Sequence, residues 1–162
     1  SVNYDRAKQA EVVDYVIIMG YDEFVSAEDG GPGPCASIDF VKRGIEKTLA
    51  VVPKEKIINA IPFYTRLWTV TGDIGNRAYG MQEIENILVE NNVQTEWDEE
   101  TCQYIADYTV DGVGYSVWVE DKDSITVKLN VMAGYQLAGV ACWRLGQEKA
   151  DVWEPIALYL QQ

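Results

Sequence analysis

Histidine is absent from all 162 residues, which removes the Ser-His-Asp and Cys-His modes of nucleophilic catalysis. Cysteine is scarce: Cys35, Cys102 and Cys142 are three, an odd number, widely spaced and without a C-x-x-C pair. With no imidazole to complete a ligand set, a zinc site is not expected, and nothing in the chain calls for a metal or another cofactor. Basic residues are few. Thirteen of them against 26 acidic residues leave a net charge of -13, which repels phosphate backbones and anionic lipid surfaces, so neither nucleic acid nor membrane is an expected partner. Long apolar runs are missing too: none approaches the ~20 residues that span a bilayer. Ser1 to Glu11 has no basic segment followed by an apolar core, so no targeting signal is read in this chain. Any acid-base chemistry must fall to carboxylates or tyrosines.

What is present describes a folded domain. The chain is 48% hydrophobic, with charges dispersed among apolar residues, and ~150 residues suffice for one buried core. One unit over 1–162 is expected. Asp14 to Tyr21 is a short β-branched apolar run after a helix-like stretch from Asp5 to Val13, and it reads as a strand buried on both faces. Gly30, Gly31, Pro32, Gly33 and Pro34 make the next segment a loop. Ser37 caps a helix with Ile38, Val41, Ile45, Leu49 and Val52 on one face, and Pro53 ends it. Lys56 to Tyr64 is a second strand, Met81 to Asn91 a helix, and Gln94 to Val119 holds three β stretches around Trp97, Tyr104 and Tyr115 to Val119. Residues 69–123 are expected to form a small antiparallel α+β insertion. A helix opened by Ser124, Ile125 to Gln136, leads to a third strand, Ala138 to Trp143, and Ala150 to Leu160 is a last helix.

Three apolar strands joined by crossover helices imply an α/β fold with parallel strands. Aromatic and polar residues collect after each strand's C-terminal end: Tyr21 and Asp22, then Tyr64, Arg66 and Trp68, then Trp143 and Arg144. Such strand ends are where parallel α/β enzymes keep their sites.

These strand ends also carry a resemblance. Met19-Gly20-Tyr21-Asp22 resembles the M-x-Y-D motif that ends the sixth strand of family 18 glycoside hydrolases. Ile61-Pro62-Phe63-Tyr64-Thr65-Arg66-Leu67-Trp68 is similar to the seventh-strand segment G-(I/V)-P-(F/Y)-Y-G-R-x-W, and Gly139 to Gly146 resembles the eighth strand. Trp118-Val119-Glu120-Asp121, followed by Ser124-Ile125 and Lys128, is most similar to the spore-germination branch, which reads W-(Y/F)-E-D-x-x-S-I-x-x-K. The resemblance covers nearly the whole chain. It implies the C-terminal portion, strands six to eight with their helices, of a TIM (β/α)8 barrel, which takes ~250 residues when complete. The missing N-terminal barrel half is thus an expected partner.

The resemblance implies hydrolysis of β-1,4-linked N-acetylglucosamine polymers, chitin or spore cortex peptidoglycan, by substrate-assisted catalysis. Tyr21 would hold the acetamido oxygen and Asp22 accept a sugar hydroxyl. Trp143 would floor the sugar, with Tyr64, Arg66 and Trp68 on the adjoining wall. Glu120 would hydrogen-bond a sugar or pair with Arg66, and the residues leave both open. Taken singly, Tyr21 reads as a strand end and Trp143 as core; Trp97, Trp118 and Trp153 are assigned to packing. Two departures stand out. Ala60 or Ile61 replaces the seventh-strand glycine and Thr65 the glycine before arginine. The family's D-x-x-D-x-D-x-E motif, whose glutamate is the general acid, is absent, since no aspartate here has another three residues later. The isolated chain is therefore expected to be inactive, a segment that supplies sugar-binding residues, or else a non-catalytic, lectin-like module. Unpaired barrel edges imply homo-oligomers, and the branch implies a bacterial protein secreted to the cell wall or spore.

Overall fold

A computed structural model describes residues 4–161. Helix α1 (Arg6–Val12), capped by the Asp5 carboxylate on the Lys8 N–H, leads into strand β1 (Val16–Met19). A loop follows to helix α2 (Ile38–Leu49), strand β2 (Ile57–Pro62), strand β3 (Tyr64–Thr69) and strand β4 (Gly75–Gly80). Helix α3 (Met81–Glu90) precedes strands β5 (Glu96–Asp98), β6 (Gln103–Val110) and β7 (Val113–Val119). Helix α4 (Lys122–Tyr135), strand β8 (Gly139–Trp143) and helix α5 (Trp153–Tyr159) complete the order. The result is a mixed α/β fold. Among the described residues, no helix is long and apolar enough to cross a membrane.

Two sheets divide the strands. β1, β2 and β8 form a parallel sheet in the order β1-β2-β8, with Val16 opposite Ile57 and Ile58 opposite Gly139. Its apolar residues bury against α2, α4 and α5 in one core that includes Val41, Ile45, Ile57, Ile61, Ile125, Met132 and Ile156. The 3.6-residue period places Ile38, Val41 and Ile45 on the buried stripe of α2, and Ser37 caps that helix by accepting the Phe40 N–H at 3.2 Å. On β1 the alternation leaves Ile17 and Met19 exposed while Val16 and Ile18 pack inward.

The second sheet is antiparallel, in the order β4-β3-β7-β6-β5. It has five strands where three β stretches were expected, because Tyr64 to Thr69 continues as a strand after Phe63 and pairs with Gly75 to Gly80. The aromatic and β-branched residues of Y-T-R-L-W-T are the signal for β3; it reads as a loop only when its aromatics are taken as strand-end decoration. Leu67 and Val117 from this sheet pack on Ile84 and Leu88 of α3 as a second, smaller core.

Helix α4 starts earlier than Ser124. Asp121 is the cap: its carboxylate accepts the Ser124 N–H at 2.9 Å, and the Ser124 hydroxyl accepts the Asp121 N–H at 3.0 Å. Ser124 is thus the reciprocal member of a capping box in which serine stands at the position usual for glutamate. Asp121→Ala is expected to cost about 1 kcal/mol and lower Tm by about 2–4 °C in a thermal melt. An unchanged Tm would show that the pair contributes nothing to the start of α4.

Candidate functional site

The site is built at the C-terminal ends of the parallel strands, where the loop after β1 meets β3. Asp22 is its centre. It lies at φ 61°, a left-handed conformation that aspartate tolerates better than most residues, and this turns its carboxylate toward β3. Its Oδ1 accepts from the Tyr64 hydroxyl at 2.6 Å, from Arg66 Nη2 at 2.6 Å and from Arg66 Nε at 3.2 Å. Successive β3 residues point to opposite faces, so Tyr64 and Arg66 come to Asp22 together while Thr65 and Leu67 turn away. Arg66 Nη1 donates to Asn76 Oδ1 at 2.8 Å, and Asn76 Nδ2 donates to the Val25 carbonyl at 2.7 Å. One guanidinium therefore ties the β1 loop to the β3–β4 hairpin, through the rigid fork that lysine lacks.

Electrostatics fix the protonation states. Burial, reinforced by Cys35 and Asp22, pushes the Tyr64 hydroxyl far above the ordinary phenol range, so it stays a donor. Burial, then the Asp22 charge and Cys35, likewise raises Tyr21. Arg66 loses hydration by burial, but its hydrogen bond and attraction to Asp22 prevail and raise it. Burial also pushes the Cys35 thiol up to about 12, which keeps it neutral and a poor nucleophile at pH 7.

Tyr21 links Asp22 to the third strand end. Its ring meets Tyr64 edge-on at 6.2 Å and lies 6.5 Å from Trp143, tilted by 31°. Trp143 closes β8 opposite Pro62 and is 53% exposed, offering a flat apolar face. A carboxyl oxygen with a lone pair to share, a protonated phenol and an open indole face suit a ring bearing hydroxyls and an amide. Among the described residues, no cluster of acidic or cysteine side chains could hold a metal ion.

Tyr21, Asp22, Tyr64, Arg66 and Trp143 are thus neighbours. Two other residues expected to touch sugar do not reach the open face. Trp68 is wholly buried, with its indole N–H donated to the Gly33 carbonyl at 2.8 Å and its ring laid across the loop. A Cβ on Gly31 would come within 2.5 Å of that ring, which is why the loop needs glycine there. Glu120 neither faces solvent nor pairs with Arg66. It is wholly buried and accepts from Lys128 Nζ at 2.9 Å, Ser124 Oγ at 2.9 Å and Gln103 Nε2 at 2.8 Å. A carboxylate taken out of water needs such partners, and Lys128 supplies the opposite charge. Asn76 was not foreseen; its only signal is a polar residue across the hairpin from Trp68.

The glycosyl hydrolases family 18 model matches residues 1–148. A cortical fragment-lytic enzyme of Bacillus subtilis (strain 168) is 30% identical over 155 residues, 93% of this chain and 35% of that protein. Among solved structures, a chitinase from Chromobacterium violaceum ATCC 12472 superposes with TM-score 0.86 at 26% identity, over 98% of this chain and 49% of that one. The Bacillus cereus spore cortex-lytic enzyme SleL superposes with TM-score 0.86 at 25% identity, over 94% of this chain and 36% of that one. The chain spans 34% to 44% of the length of the first curated relatives it matches. With the match running from residue 1 to residue 148 and the strand-end residues gathered at one place, this chain belongs to glycosyl hydrolase family 18.

Proposed function

We propose that this chain forms the sugar-binding side of a glycosidase that hydrolyses β-1,4-linked N-acetylglucosamine polymers, chitin or spore cortex peptidoglycan. The observation that carries the reading is the convergence of Tyr21 and Asp22, after β1, with Trp143, at the end of β8, across the C-terminal end of β2 between them. Tyr21 donates to the acetamido oxygen that attacks the anomeric carbon, Asp22 accepts a sugar hydroxyl on the oxygen that Arg66 and Tyr64 leave free, and Trp143 floors the ring. Trp68 and Glu120 hold the frame.

In this reading the parallel sheet is an arc of a (β/α)8 barrel, with the antiparallel sheet and α3, Tyr64 to Val119, as an insertion in place of the expected 69–123. The general acid comes from a glutamate outside these 162 residues, on the remaining strands. The exposed Ile17 and Met19 on β1 support such a neighbour, since apolar side chains on a sheet face favour cover. In its absence a second copy would serve, giving oligomers. The relatives' names favour a bacterial cell wall or spore as the place of action.

Calorimetric titration with tetra-N-acetylchitotetraose and with its deacetylated counterpart tests this. Binding is expected for the acetylated tetramer only, with no release of shorter oligomers by the 162-residue chain. Tyr21→Phe should weaken that binding by about 1 kcal/mol, roughly fivefold in Kd. Equal affinity for both tetramers would overturn the acetamido role. The second reading is a non-catalytic, lectin-like module. If the complete protein binds the tetramer yet never cleaves it, that second reading holds.

A further inference from the structure

The motif Trp118 to Lys128 contributes nothing to the open face, yet it builds the most deeply buried polar network in the described chain. Glu120, Ser124 and Gln103 are 0% exposed and Lys128 is 1% exposed. Ser124 and Lys128 stand one turn apart on α4, so both reach the same oxygen, Oε2 of Glu120. Gln103 of β6 takes the other oxygen. Three elements meet on one carboxylate.

A fourth is joined through the backbone. The ladder between β3 and β7 stops at Leu67 opposite Val117. Beyond it, the Glu120 N–H donates to the Thr65 hydroxyl at 2.8 Å, so a side chain continues a bond that the backbone ladder no longer makes. Thr65 is itself wholly buried and stands between Tyr64 and Arg66. Those two residues place three hydrogen bonds on one oxygen of Asp22.

We infer that the Glu120–Lys128–Ser124–Gln103 network grips β3 through Thr65 and thereby positions Tyr64 and Arg66 around Asp22. All five are positioning residues. A buried ion pair adds little stability over well-packed apolar residues of the same volume, but it is directional, and direction is what a strand carrying the site needs. The network sets how far β3 stands from the end of β7. Register along β3 then sets where the guanidinium fork arrives. The consequence for sugar rests on the reading given under Proposed function; the consequence for Arg66 does not.

Thr65→Val keeps the shape of the side chain and removes only the acceptor. In the complete protein, the variant is compared with Thr65→Ser, which restores the hydroxyl, and with Ile45→Val, a core change on α2 remote from β3. Two quantities are measured: water exchange of the Arg66 Nε–H by NMR, and Kd for tetra-N-acetylchitotetraose. In Thr65→Val the Arg66 Nε–H is expected to exchange about tenfold faster and Kd to rise about tenfold, as for a displaced contact group. Thr65→Ser should restore both, and Ile45→Val should lose stability with neither changed. An Arg66 signal unaltered in Thr65→Val, or altered as much in Ile45→Val, would overturn the inference. If the unmodified protein binds no tetramer while Arg66 still responds to Thr65→Val, the sugar reading fails and the positioning stands.

Discussion

Replacing Tyr21 with phenylalanine in the complete protein is expected to lower kcat about 10²-fold on an N-acetylated substrate, on the order of 3 kcal/mol, with KM changed far less. The phenol sits between Tyr64 and Trp143, and burial together with the Asp22 charge keeps it protonated. In the proposed role its hydrogen bond holds the acetamido oxygen in line beneath the anomeric carbon, and alignment of the attacking atom counts for more in the transition state than in binding. The ring remains in the variant, and stability should hardly move. Trp143→Ala should behave in the opposite way, raising KM, because a stacking floor serves ground state and transition state alike. Steady-state kinetics of both variants on one substrate separate the roles. A kcat for Tyr21→Phe within about threefold of the parent, less than ~0.7 kcal/mol, would assign Tyr21 to the frame.

Lys128→Met should be the most destabilising single change at a polar position, costing about 3–5 kcal/mol, because it strands the Glu120 carboxylate in the interior. Burial pushes the Glu120 carboxyl up from its ordinary value, and Lys128 is the chief opposing influence. With Lys128 gone the carboxyl rises further. A folded pKa above the unfolded one means that the folded state holds the extra proton. The Glu120 contribution to the variant's stability is therefore greatest below the unfolded value of about 4.3 and is lost as pH rises through the folded value. The double variant Glu120→Gln, Lys128→Met removes both charges and should recover most of the loss. Urea denaturation at pH 5 and pH 8 provides the cycle. Additive losses in the double variant, or a Lys128→Met loss that ignores pH, would show that the two charges are not coupled.

The strand ends were legible because a parallel strand must surface at its C-terminal end, so the aromatic and polar residues after Met19 and Pro62, and Trp143 at the end of β8, have one place to go. Chain order then brings Tyr21, Asp22, Tyr64, Arg66 and Trp143 together. What a linear pattern does not carry is what covers a face. Trp68 shares a side of β3 with Arg66, but the Gly31–Gly33 loop lies over one and not the other. Glu120 looks like a solvated turn beside Asp121 and Asp123, because its partner sits eight residues away across a strand-to-helix corner that only the fold creates. The β4 strand escaped for a plainer reason. G-N-R-A-Y-G is poor in β-branched residues and is held as a strand by its pairing with β3.

Between Pro62, the last residue of the parallel sheet, and Tyr64, the first of the antiparallel one, there is a single residue, Phe63. It is wholly buried, its N–H is donated to the Trp143 carbonyl at 2.7 Å, and its ring packs edge-on against Trp153. A hinge needs a few residues free to change φ and ψ, and this junction has none. Trp143 and Arg66 are therefore carried on one mechanical piece, with no hinge between the two sheets at this junction. In the proposed function, a bound sugar chain meets a face of fixed width and does the adapting itself. Such stiffness lowers the cost of binding, since the ordering of these side chains was met when the chain folded.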